Sequence, residues 1–133
     1  MLKKPVAGWT VFECGDFSCS ASYLDDVPQM FIDAFTFGLN NDGICAVELD
    51  QEGCDTELLF NRYHAYAIQD RTIQEDKPNM IVTRLNKSLE EFVREFIYDI
   101  NSNYSDWQNW MCYQDELQEY DLTELKEALK NYR

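Results

Sequence analysis

Residues 50–57 read DQEGCDTE, which places four carboxylates, a glycine and a cysteine within one short stretch. Three chemistries use such a set: a calcium loop, a reactive thiol, or the charged tip of a hairpin. An EF-hand loop needs oxygen ligands at its first, third and fifth positions, glycine at the sixth and glutamate at the twelfth. Counted from Asp50, glycine arrives at the fourth position, Cys54 fills the fifth and Asn61 the twelfth. The calcium pattern therefore fails by position. A ring of carboxylates is also poor company for a nucleophilic thiolate, which forms beside positive charge. As a turn the segment fits, because the apolar runs ICAVEL and ELLF flank a glycine that can take a positive φ.

The other candidates are sparse. His64 is the only histidine, in the run Arg62-Tyr63-His64-Ala65-Tyr66. A general base at neutral pH is most often histidine. A small enzyme or ligand-binding domain would use His64 with one of the thiols. No C-x-x-C or G-x-S-x-G signature accompanies it, and a strand histidine on a half-exposed sheet face is the simpler expectation. Cys14, Cys19, Cys45, Cys54 and Cys112 do not form the paired knuckles of a zinc site. Cys19 and Cys45 fall where cysteine acts as a small buried hydrophobe. With 25 acids in 133 residues, carboxylate pairs carry no information about glycosidase chemistry. The reading is a non-enzymatic chain, with no catalytic residue, metal or cofactor assigned.

Charge is the strongest signal. The net charge is −14, and from Pro5 to Asn61 there are eleven acids and no lysine or arginine. Such a field repels nucleic-acid phosphates and anionic membranes, and it steers basic proteins inward. Direct nucleic-acid and membrane binding are therefore not expected, whereas a basic protein partner is. The contact residues assigned to it are Glu48, Asp50, Glu52, Asp55 and Glu57 around the hairpin. Asp115, Glu116 and Tyr120 join them, next to the aromatic run Trp107-Gln108-Asn109-Trp110-Met111-Cys112-Tyr113. Trp107, Trp110 and Met111 have the spacing of a helix's core stripe, whereas Tyr113 and Tyr120 are expected to be exposed.

These residues must be positioned by one domain over 1–133, a length suited to a single core. Residues 9–13 and the alternation of Phe17, Cys19, Ala21 and Tyr23 with serines make a first hairpin around Cys14-Gly15-Asp16. Asp25 or Asp26 caps a helix carrying Val27, Met30, Phe31, Ala34, Phe35 and Leu39. Strands follow at 44–49, 56–60, 63–68 and 80–85. Ser88 and Glu91 form a capping box ahead of Leu89, Phe92, Val93, Phe96, Ile97 and Ile100, the clearest helical period in the chain. Ser105 or Asp106 caps a short helix, and Asp121 with Glu124 opens the last one. The expected fold is α+β: an antiparallel sheet of about five strands, one helix between the hairpins, and a helical C-terminal third packed on it. No secretory leader is visible in residues 1–9 and no run approaches the roughly 20 apolar residues of a membrane span. The expectation is a cytoplasmic protein with reduced thiols.

The Gly15-Asp16-Phe17 opening, the serine/aromatic strand, the helix with Phe31 and Phe35, the L-D-Q-E-G-C-D hairpin and the S-L-E-E-F helix together resemble the small acidic immunity proteins of bacterial toxin–immunity systems. The likeness is one of size, charge and layout over the whole chain, and it transfers no site residue. It implies a protein that binds a cognate toxin and blocks its active or substrate site. A phage- or plasmid-type inhibitor that mimics DNA shares the same charge logic and is the alternative.

Overall fold

The computed structural model describes residues 1–70, 79–111 and 117–133. Strands β1 (Trp9–Cys14) and β2 (Phe17–Ser22) form the expected hairpin, paired from Trp9↔Ser22 to Cys14↔Phe17. Gly15 turns it at φ +58°, a region costly for a residue with a Cβ. Helix α1 (Val27–Asn40) follows, then β3 (Cys45–Asp50), β4 (Asp55–Phe60), β5 (Ala65–Asp70) and β6 (Met80–Leu85). Helices α2 (Leu89–Ser102), α3 (Tyr104–Gln108) and α4 (Thr123–Asn131) are the later elements among the described residues.

The α+β class holds, with one difference in the sheet. Among the described residues, six strands form two antiparallel sheets, a two-stranded β1–β2 and a four-stranded β3–β4–β5–β6 meander, rather than one sheet of about five. Residues 63 and 64, read as the start of a strand over 63–68, instead belong to the β4–β5 turn at 61–64. There Asn61 Oδ1 accepts the backbone N–H groups of Tyr63 (2.8 Å) and His64 (3.0 Å), a local turn that asparagine stabilises well.

Strands β3 and β4 and helix α2 bury the faces their periods dictate. In β3, Cys45, Val47 and Leu49 point inward and Ala46 and Glu48 outward; in β4, Thr56, Leu58 and Phe60 point inward. Helix α2 buries Leu89, Phe92, Val93, Phe96 and Ile100, and Ser88 Oγ accepts the Glu91 N–H at 3.2 Å as the capping box requires. An aromatic core joins the parts: Phe12 from β1, Phe31 and Phe35 from α1, Phe60 from β4, and Phe92 and Phe96 from α2. Trp107, Trp110 and Met111 are buried as a core stripe should be.

The caps at three other helices differ from expectation. Asp26 sits at the N-cap of α1, but its side chain makes no capping bond. Helix α3 begins at Tyr104, so Ser105 and Asp106 lie inside its first turn rather than ahead of it. Asp121 does serve α4, accepting the Thr123 N–H at 2.9 Å, but from one residue before its N-cap, Leu122. Among the described residues, no helix is long and apolar enough to cross a membrane.

Candidate acidic interface on the four-stranded sheet

The DQEGCDTE segment is a tight hairpin. Asp50 pairs with Asp55 at the ends of β3 and β4, and the Gln51 N–H donates to the Cys54 carbonyl at 2.9 Å. Only Glu52 and Gly53 lie between, at φ +57° and +132°. Positive φ at both central residues matches the twist of the flanking strands. Glu52 accepts a strained conformation there, and its N–H is held by Asp50 Oδ1 at 2.7 Å. Gln51 Oε1 accepts from Thr56 Oγ1 at 2.7 Å, which ties the turn to β4.

The sheet then gathers the acids on one face. Glu48 lies directly across from Glu57, and Asp50 across from Asp55. The Gln51–Cys54 bond fixes the alternation of the ladder. Leu49/Thr56 and Val47/Leu58 are the hydrogen-bonded pairs, and the two acid pairs occupy the closer, non-bonded positions. Like charges directly opposite destabilise a sheet. None of the ion pairs among the described residues relieves them; those pairs engage Asp99, Glu13, Asp106, Glu95 and Glu90 elsewhere. Glu48 therefore binds its proton more tightly than an ordinary glutamate. The main cause is a hydrogen bond shared with the Asp55 carboxyl, followed by the charges of Asp55, Glu57 and Asp25.

This crowding gives a direct expectation. Glu48→Gln raises the melting temperature near pH 7 at low salt. The gain shrinks in high salt, which screens the exposed charges it relieves, and in acid, where Glu48 is already neutral. A variant melting at or below the wild-type temperature under low salt would show that the pair is not repulsive.

Beside the acids the same outer face turns apolar. Glu57 is paired with Ile68, which is paired with Val82, and Asp70 is paired with Met80. Val82 is 60% and Met80 59% exposed. An acidic margin beside exposed aliphatic side chains is a surface suited to protein contact.

The remaining candidates separate from this face. Tyr120, expected to be exposed, is buried. Its hydroxyl accepts from Trp110 Nε1 at 3.1 Å and donates to Asp26 Oδ1 at 2.8 Å, while its N–H donates to the Tyr104 hydroxyl at 3.1 Å. It is a structural clasp between the start of α1 and the α3 region, and not a contact residue. Burial raises the Asp26 carboxyl above its usual pKa despite the Tyr120 bond. Asp115 and Glu116, with Tyr113, lie outside the described residues.

The clasp also has a measurable signature. Tyr120→Phe leaves the buried indole N–H and the Asp26 carboxylate without their partner, a loss of about 1–3 kcal/mol readable by urea unfolding. The folded protein binds the Asp26 proton more tightly than the unfolded chain does. Stability contributed by this group is therefore present below the ordinary carboxyl pKa of about 3.9 and is lost as pH rises through the raised value. Asp26→Asn removes that slope.

His64 precedes β5 and is half-exposed, with Nε2 3.1 Å from the Tyr66 hydroxyl and 3.3 Å from Asn61 Nδ2. No described cysteine hydrogen-bonds to it. Cys14, Cys19 and Cys45 are buried free thiols and Cys54 is exposed. Burial pushes the Cys19 thiol up to about 11 and Cys45 up to about 12, which keeps both protonated. Among the described residues no cluster of His, Cys, Asp and Glu side chains could hold a metal ion.

Comparison with protein-family models, with curated proteins and with solved structures finds no match to this chain.

Proposed function

We propose that this chain is a non-enzymatic binding protein that docks the outer face of β3–β4 on a basic protein partner. In the reading closest to the immunity-protein resemblance, the partner is a toxin. The carboxylates then enter a cleft built for a polyanion, and the complex forms in the cytoplasm.

One observation carries the reading. Glu48, Asp50, Asp55 and Glu57 stand in two like-charged cross-strand pairs with no basic neighbour among the ion pairs described. Solubility needs negative charge, but it does not need acids placed opposite one another on a sheet where they oppose folding. Features that oppose local stability concentrate at functional surfaces, where the partner compensates them. A cluster of lysine and arginine would do so here, and the long-range field of the chain would speed encounter.

Two baits test this at low ionic strength: the wild-type protein and a variant with Asp50→Lys, Glu52→Lys and Asp55→Lys. The expected result is a basic protein retained by the wild type, released by added salt and absent from the variant. Identical retention on both baits would remove the acidic face from the account.

A further inference from the structure

We infer that the free edge of β3 is a strand-addition site, which takes an extended segment of the basic partner in which apolar residues alternate with lysine or arginine. This rests on the reading above and specifies how the partner is held.

Strand β3 ends the four-stranded sheet, with β4 on one side only. Because Val47 and Leu49 bond to β4, the N–H and C=O groups of Ala46 and Glu48 point away from the sheet. No described group bonds to them. Such a row of unpaired backbone groups is a template for another strand.

The edge is not bare. A groove of about 480 Å³ runs beside it, lined on the helix side by Met30, Asp33, Ala34 and Phe37 and on the sheet side by residues 45–48. Consecutive strand residues face opposite sides of a sheet, so one groove can reach all four only along the edge. Met30, Ala34 and Phe37 repeat at helical spacing and form its apolar wall. Phe37 is 60% exposed, unusual for a phenylalanine with no partner to cover it. Gly38 holds this wall close to β3, since a Cβ there would lie 2.7 Å from Cys45 Sγ.

The chemistry of the occupant follows from the two sides of the strand it would extend. Its inward residues would lie over Met30, Ala34 and Phe37, which favours valine, isoleucine or leucine. Its outward residues would lie beside Ala46, Glu48 and Asp50, which favours lysine or arginine, and Asp33 adds charge from the helix. The opposite edge, β6, presents an exposed Arg84 on the outer face and suits a basic segment less.

The test uses a short fluorescent peptide of alternating lysine and valine, with the intact protein, followed by anisotropy. A block peptide of the same composition carries the same charge without the alternation. Two further peptides are N-methylated either at every lysine or at every valine, which removes the N–H donors of one set. The expected result is binding at least about tenfold tighter than the block peptide, and a loss of about tenfold or more from one methylated set only. Loss from the lysine set marks an antiparallel strand, and loss from the valine set a parallel one. Phe37→Ser and Ala46→Pro each weaken the binding, the second by removing an outward N–H at a position where an edge strand tolerates proline.

Equal binding of alternating and block peptides, or equal effects of the two methylations, overturns strand addition and leaves simple charge attraction. Absence of peptide binding overturns it too, and the acidic face then stands or falls by the bait experiment alone. If the two baits retain the same proteins while the alternating peptide still binds with this signature, the site stands and the role assigned to the hairpin acids fails.

Discussion

The variant carrying Asp50→Lys, Glu52→Lys and Asp55→Lys associates with the basic partner about 10- to 1000-fold more slowly than the wild type at low ionic strength. The change is six charge units at one hairpin tip, on the densest part of a stretch that has no lysine or arginine between Pro5 and Asn61. Steering acts on the encounter, so the association rate carries most of the loss. Dissociation changes less wherever the acids sit at the rim of the contact. Salt should slow the wild type and leave the variant nearly unaffected or slightly faster, because screening weakens attraction and repulsion alike. The three side chains lie at or beside a turn and bury nothing in the core, so the fold should persist although Asp50→Lys removes the acceptor of the Glu52 N–H. Matching far-UV spectra and melting curves would establish that directly.

Phe35→Ala is the largest expected change in stability. Phe35 is fully buried and its ring centroid lies 5.3 Å from Phe31, 5.1 Å from Phe60 and 5.7 Å from Phe96. It joins α1, β4 and α2 at one point. Truncating a buried phenylalanine removes its transfer free energy and leaves a cavity, about 3–5 kcal/mol in all. Against a total of about 5–15 kcal/mol for an ordinary domain, that is a large fraction. Urea unfolding should show a lower midpoint with an unchanged slope. A loss below about 1 kcal/mol would mean that the aromatic cluster is not the centre of the core.

What the sequence made legible was set by periodicity and local chemistry. The alternation in ICAVEL and the helical spacing of Leu89, Phe92, Val93, Phe96 and Ile100 are properties of single elements, and they appear in the structure with the faces they imply. The hairpin at Gly53 was legible for the same reason. The split into two sheets was not, because which strand edges meet is a tertiary matter that no strand's own pattern records. Tyr120 was misread because its partners come from far along the chain. Asp26 is 94 residues away, and the segment around Tyr120 has no period to show a buried face. The same bond occupies Oδ1 of Asp26, the residue whose type suggested a cap at α1.

The acidic surface was legible as composition but not as geometry. Counting charges located Glu48, Asp50, Asp55 and Glu57; only the register placed them in opposed pairs. The groove beside β3 left no sequence signal, because Phe37 looks like any other apolar residue of α1 until Gly38 seats the helix against Cys45.

The most direct test of the acidic-face account is the hydrogen-exchange footprint of the complex with the salt-released partner. The account predicts new protection at residues 45–59 with α4 unchanged, and strand addition places its maximum at the amides of Ala46 and Glu48. Protection confined to α2 and α4, with 45–59 exchanging as in the free protein, would contradict it.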